Sequence, residues 1–331
     1  MVVEGRDGDH GHGHGHGHGR DRRGPAVDDK DWIRLVDQLK NGACTPLLGA
    51  GAAPSASRAS RSGDGVHATP PNLLDGLDSL LGPAAAEGDG ELPAASDAAH
   101  RREPAFLRQR VADEVEALLP PDFEAPAEPH TLLSRLPLPV YLTTNFDGFL
   151  THALRREGRN PRSAICPWNA STESAGSRAA EEELLRFPTA SDPVVYHLHG
   201  SSRQPGSMVV TEEDHLEFLL ALAADRGSGR QLIPTQLRPA FTTRPLLFLG
   251  YDLHDWTFRF LFHGLLRTVA AMEPRRRAVL QLAPPAPGDQ PERAAAVQHY
   301  LTGYFQRWNI AVFWGDLTEF CAALGARLEM T

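Results

Sequence analysis

The feature that most constrains this chain is a recurrence: a short apolar run ends on glycine or a small polar residue, and a helix-length segment follows. Cys44-Thr-Pro-Leu-Leu48 leads into Gly49-Ala-Gly51, and Pro139-Val-Tyr-Leu142 into Thr143-Thr-Asn-Phe-Asp147. Val194-Val-Tyr-His-Leu198 leads into His199-Gly200, Leu246-Leu-Phe-Leu249 into Gly250-Tyr-Asp252, and Ile310-Ala-Val-Phe-Trp314 into Gly315-Asp316. Ala278-Val-Leu-Gln-Leu282 is a sixth such run. Apolar runs of this length, without alternation, read as strands covered on both faces.

Helical spacing fills the intervals. Trp32, Leu35, Val36 and Leu39 recur at i, i+3, i+4, i+7, with Asp28 or Asp29 as N-cap. Further helices are expected from Ala105 to about Leu118 and at 147–156, 211–224, 254–271, 291–307 and 317–328. Thr211 opens one of them, with Glu212 and Glu213 where they favour the helix dipole. Strand–helix alternation predicts an α/β fold, a parallel sheet with helices on both faces. Ligands of such sheets bind beyond the carboxyl ends of the strands, so the glycine and polar residues gathered there predict one composite site.

Residues 1–28 carry a Gly-His alternation through His10, His12, His14, His16 and His18 and are expected to be disordered. The folded part is expected at 29–331, with insertions near 52–130 and 150–245. Residues 52–100 are rich in Ala, Ser, Gly, Pro and Asp, and read as a partly irregular insertion.

Composition removes several alternatives. The 33 basic and 42 acidic residues give a net charge of −9, a poor basis for nucleic-acid binding. No run approaches the ~18 apolar residues of a membrane span, and the N-terminus has no signal-peptide core. Lys30 and Lys40 are the only lysines, and neither follows a glycine-rich loop, which excludes a Walker A site. Cys44, Cys166 and Cys321 form no CxxC pair, which excludes a cysteine zinc module and fits a reducing cytoplasm. There is also no HExxH and no G-x-S-x-G elbow.

The motifs divide between chemistry and architecture. Gly49-Ala-Gly51 lets a backbone approach a pyrophosphate, or simply makes a tight turn; position 54, where a dinucleotide fingerprint has a third glycine, is Pro54. Asn145 and Asp147 suit a ribose and a carboxamide, and equally an Asx turn in which Asp147 caps the next helix. His197 and His199 alternate along a strand and are expected on one face. His199, at the strand end, is placed as a general base, and His197, one step inside, as a core histidine.

Leu48-Gly-Ala-Gly-Ala52, Leu142-Thr-Thr-Asn-Phe-Asp147, His197-Leu-His-Gly-Ser201, Phe248-Leu-Gly-Tyr-Asp-Leu-His-Asp-Trp256 and Phe313-Trp-Gly-Asp316, in this order, resemble the sirtuin superfamily in its bacterial antiphage-defence branch. The resemblance implies a Rossmann-like NAD-binding domain with a smaller, mostly helical inserted module. It also implies that Asn145, His199 and Asp147 are catalytic. Gly49, Ala50 and Gly51 match the diphosphate loop, and Thr144 is a further cofactor-binding residue; Gly250 and Tyr251 match the adenine-ribose segment, and Gly315 and Asp316 the adenine loop. Gln281 is a further ribose contact by the same token. The family's Pro-Asp-Phe-Arg stretch is missing, leaving Arg58 or Arg61 as replacements for its arginine. The four-cysteine ribbon of the deacylating members is missing too.

The resemblance therefore implies an NAD⁺ glycohydrolase releasing nicotinamide and ADP-ribose, with NAD as substrate and no metal. It further implies NAD depletion in abortive infection, a cytoplasmic location, and activation in a homo-oligomer or by a HerA-type ATPase. A non-catalytic NAD- or ADP-ribose-binding regulator and an NAD-dependent deacylase are the competing readings.

Overall fold

The computed structural model describes residues 27–52, 104–169, 186–224, 232–251, 278–282 and 291–329. Seven strands form one sheet: β1 (Thr45–Leu48), β2 (Val140–Thr143), β3 (Arg162–Ile165), β4 (Val194–His197), β5 (Leu246–Tyr251), β6 (Ala278–Leu282) and β7 (Ile310–Trp314). Their order is β3-β4-β2-β1-β5-β6-β7, and every pairing is parallel. The expected α/β, Rossmann-like class is what the chain adopts.

Helices cover both faces. On one face α1 (Asp29–Lys40), α3 (Pro129–Ser134), α4 (Phe149–Arg156) and α8 (Leu317–Glu329) pack Trp32, Leu133, Leu154 and Phe320 against Leu48, Tyr141, Val195 and Leu247. On the other, α5 (Glu212–Ala224), α6 (Arg238–Thr242) and α7 (Pro291–Gln306) bring Phe218, Phe241 and Phe305 onto Leu47, Leu142, Tyr196 and Phe248. Successive strand residues thus enter opposite cores, which explains their apolar runs. A third cluster lies off the sheet, where α2 (Pro104–Glu116) sets Leu107, Val111 and Ala112 on Met208 and Val210, with Phe146 against them.

Capping accounts for several boundaries. The Asp28 side chain accepts from the Asp31 amide at 2.7 Å to start α1. Thr211 and Asp214 bond each other's ends reciprocally, Asp214 N–H to Thr211 Oγ1 at 3.1 Å and Thr211 N–H to Asp214 Oδ2 at 3.0 Å, a capping-box arrangement at the start of α5. The helix expected from Asp147 instead begins at Phe149, because Asp147 Oδ1 accepts from the Phe149 amide at 3.0 Å and stays outside the first turn.

Three elements are absent from the sequence expectation. Arg162-Ser-Ala-Ile165 has neither alternation nor a long apolar run, yet it pairs with β4 as the edge strand. The short helices α3 and α6 carry proline in their first turns and are too brief to show a period. The Gly-His tail, the irregular insertion after residue 52 with Arg58 and Arg61, and the helix expected at 254–271 lie outside the described residues.

Candidate active site

β1 has β2 on one side and β5 on the other, and the chain departs in opposite directions from these neighbours. The carboxyl end of β1 is therefore the topological switch point, where an open parallel sheet has its crevice. Gly49–Gly51, Thr144–Asp147 and Gly250–Tyr251 occupy this end.

The glycine turn is shaped from behind as much as by any ligand. Ala50–Ala52 forms a single 3₁₀ turn, closed by the Ala52 amide donating to the Gly49 carbonyl at 2.9 Å. Gly250, at φ +72°, lies at a register shift in β5, where Phe248 and Tyr251 face Leu280 and Leu282 across β6. This bulge sends the Tyr251 ring over Gly49, where a Cβ would stand 2.6 Å from Tyr251 Cε1. A Cβ on Gly250 would meet the Ala52 nitrogen at 2.4 Å. Both glycines are thus required by their mutual packing, while Ala50 remains exposed on the rim.

Thr144 joins the two sides. Its amide donates to the Leu48 carbonyl at 3.0 Å, and its hydroxyl lies 3.3 Å from both the Leu48 carbonyl and Tyr251 Oη. The Asn145 amide donates to Thr143 Oγ1 at 3.0 Å, and the Asn145 carbonyl faces His197 Nδ1 at 3.1 Å. Asn145 is almost fully buried and Asp147 half-buried. Phe146, between them, turns its carbonyl to Ser202 N–H at 3.0 Å and to the hydroxyls of Ser202 and Ser201 at 3.1 and 3.3 Å.

The two histidines part company, contrary to the same-face expectation. β4 stops at His197, so strand alternation does not extend to His199. His199 lies in the turn closed by Gly200 at φ +89°, where a Cβ would meet the Ser207 carbonyl oxygen at 2.2 Å. Its ring meets Phe218 and His215 of α5, with centroids 4.9 and 5.3 Å away. Phe218 also packs in the core of Tyr196 and Leu198, which places His199 on their side of the sheet. Burial, and then the neighbouring His215, hold the His199 imidazole well below its usual range. Burial likewise lowers His197, partly opposed by its contact with Asn145 and by the Asp147 charge. His199 is thus a neutral imidazole at physiological pH.

Farther along the edge, Gln281 bridges the β5 bulge and the residue after β7. Its Oε1 accepts from the Gly250 amide at 2.8 Å, and its Nε2 donates to the Gly315 carbonyl at 2.9 Å. Both ends of the side chain expected to contact a ribose therefore serve the backbone in this structure. Asp316 is exposed and caps α8: its Oδ1 accepts from the Glu319 amide at 2.7 Å, and Glu319 Oε2 from the Asp316 amide at 3.1 Å. Gly315 and Asp316 sit three strands from β1, about 14 Å along the edge at the usual strand spacing. Ser201 closes the His197–Ser201 motif, whereas no motif in the sequence points to Ser202 or His215, although Ser202 directly follows Ser201.

Among the described residues, no group of three His, Cys, Asp or Glu side chains is placed to hold a metal ion. Burial pushes the Cys321 thiol up to about 12, which removes it as a nucleophile.

An open parallel sheet with glycines and polar side chains gathered at its switch point defines a Rossmann-like α/β domain. The chain belongs to the SIR2-like family, whose SIR2-like domain model matches residues 139–313, just over half of it. It is 25% identical over 149 residues to the NAD(+) hydrolase ThsA of Acinetobacter baumannii strain 532279, covering 45% of this chain and 25% of that protein. It is 24% identical over 153 residues to the NAD(+) hydrolase ThsA of Cytobacillus dafuensis, covering 45% of this chain and 26% of the relative. The corresponding protein of Enterococcus faecium matches at 24% over 132 residues, with 39% and 23% covered. The chain thus spans about a quarter of the length of the curated relatives it matches.

Proposed function

We propose that this protein is an NAD⁺ glycohydrolase, cleaving the bond between nicotinamide and ribose. The observation that carries the proposal is the convergence of Gly49–Gly51, Asn145, Asp147 and Gly250–Tyr251 at the switch point of a SIR2-like sheet, with a neutral His199 at the end of the next strand but one. The named NAD(+) hydrolase relatives support the same substrate.

In this reading the glycosidic C–N bond breaks, and its electron pair leaves with the nicotinamide ring nitrogen. Water oxygen then bonds to the ribose carbon, and its proton passes to a base. Asp147 Oδ1 already holds the Phe149 amide, so Oδ2 is the oxygen that accepts the nicotinamide carboxamide. Asn145, fixed through its own amide and carbonyl, orients the ribose and the water with a side chain that both donates and accepts. His199 takes the proton, for which a neutral imidazole is the competent form. The diphosphate lies over Ala50 and Gly51, and the adenosine half extends toward Gly315 and Asp316. No step calls for a metal.

The resemblance of the motifs extends the proposal to antiphage defence by NAD depletion in the cytoplasm, with activation in a homo-oligomer or by a HerA-type ATPase. Among the described residues, no helix is long and apolar enough to cross a membrane. The burial of His199, only 3% exposed, favours one second reading: a domain that binds NAD or ADP-ribose without turnover.

Asn145→Ala decides between them. The variant is expected to bind NAD⁺ in calorimetry like wild type, because the glycine turn and the Gly315 loop are untouched, while nicotinamide release falls by about 10²-fold or more. Wild-type protein that binds NAD⁺ yet releases no nicotinamide under activating conditions would overturn the enzyme assignment.

A further inference from the structure

Helix α2 makes two polar contacts that its own stability does not require. Glu116 stands in its last turn, where a carboxylate opposes the helix dipole, and Glu116 Oε1 accepts from Ser202 Oγ at 2.6 Å. The Ser202 hydroxyl has one proton, and the shorter contact to a charged acceptor takes it rather than the 3.1 Å contact to the Phe146 carbonyl. The Ser202 amide donates to that carbonyl at 3.0 Å. A single path therefore runs from Glu116 through Ser202 to the peptide next to Asn145. One turn from the start of the helix, Arg108 pairs with the buried Asp214. The other oxygen of Asp214 holds the amides of Val210 and Thr211 at 2.9 and 3.0 Å, directly after Val209, whose amide donates to the His199 carbonyl at 2.9 Å. Between the two contacts, Leu107, Val111 and Ala112 lie on Met208 and Val210, with Phe146 against the same cluster.

We propose that Glu116 and Arg108 are positioning residues: α2 is a splint that holds the Asn145 turn and the His199 segment in one register, Glu116 fixing the first and Arg108 the second. The assignment rests on the NAD⁺ glycohydrolase reading for its kinetic consequence, but not for its structural one. A displacement of about 1 Å at a reacting group can cost about 10²-fold in rate. Loss of one part-buried hydrogen bond allows a smaller excursion, so about tenfold is expected here.

The test uses the full chain with Glu116→Ala, Glu116→Gln, Ser202→Ala and the double variant of Glu116→Ala with Ser202→Ala. Nicotinamide release is measured as kcat and KM, and amide hydrogen exchange is followed over residues 143–149. Glu116→Ala and Ser202→Ala are each expected to lower kcat about tenfold, with KM changed less than twofold, and to speed exchange in the turn. Glu116→Gln keeps the acceptor oxygen and is expected to stay near wild type. The double variant is expected to be no worse than either single one, since all three cut the same bond. Arg108→Met is expected to speed exchange at 207–211 and to leave 143–149 protected. Wild-type kcat and exchange in Glu116→Ala, or equal losses in Glu116→Ala and Glu116→Gln, would overturn the splint. If wild-type protein releases no nicotinamide, the glycohydrolase reading fails, and the exchange data still decide the splint.

Discussion

At φ +72°, with the Ala52 nitrogen 2.4 Å from where a Cβ would stand, Gly250 admits no other residue without strain, and its amide holds Gln281. The left-handed conformation alone costs an L side chain about 1–2 kcal/mol, before the clash is counted. The glycines of the rim are therefore required by the architecture itself. The histidines set a pH dependence. Burial lowers both His197 and His199, whereas in the unfolded chain they take up protons near pH 6.5. The unfolded state then binds more protons as pH falls below that value, so the stability present above about 6.5 is lost toward acid. Denaturant midpoints are expected to drop between pH 7.5 and pH 5.5, and a flat or rising midpoint would contradict the neutral assignment. Glu128 acts in a different window. Burial raises its carboxyl, but the His130 contact and the Thr131 amide outweigh this and hold it below 4.5, so its contribution is lost only in stronger acid.

Among the elements, one side chain reinforces the backbone pairing of β5, β6 and β7 at their carboxyl ends. Gln281 satisfies the Gly250 amide and the Gly315 carbonyl together, so Gln281→Leu leaves both without that partner, at about 1–3 kcal/mol each. A lowered melting temperature is the expected outcome, with a smaller loss for Gln281→Glu, which keeps the acceptor for Gly250. Unchanged melting of Gln281→Leu would mean that another group replaces it. Elements such as this strand were legible because their residues are buried on both faces and carry no polar interruption beyond Gln281 itself. β3 was not legible: an edge strand of four residues with Arg162 and Ser163 gives neither period nor apolar run. The rim was legible from its position, because parallel strands put their carboxyl ends together. The facing of His199 was not, since it depends on a turn set by Gly200 and on α5, which no local pattern encodes. The contact of Glu116 with Ser202 spans 86 positions and is invisible to any reading of local sequence.

For the molecule as a whole, the rim, among the described residues, is built from the sheet domain. Neither the Gly-His tail nor a metal enters the proposed chemistry. Removal of residues 1–26 and treatment with a chelator are therefore expected to leave NAD⁺ cleavage unchanged, measured as nicotinamide release. Tightly held stoichiometric zinc in the truncated protein, with activity lost on its removal, would contradict this. The rim also draws on segments near residues 49, 145, 199, 250 and 315, spread over most of the chain. β1, at its centre, is made early, yet its partner β5 emerges only some 200 positions later, and β7 later still. On the ribosome, the crevice therefore stays half-walled until synthesis has passed β5, because one side of β1 has no neighbour before then. A nascent or prematurely terminated chain that stops short of β5 carries Asn145 and His199 but no Gly250 or Tyr251 to close the cradle over Gly49. The order of strands in the sheet thus keeps incomplete copies of the protein from assembling this rim.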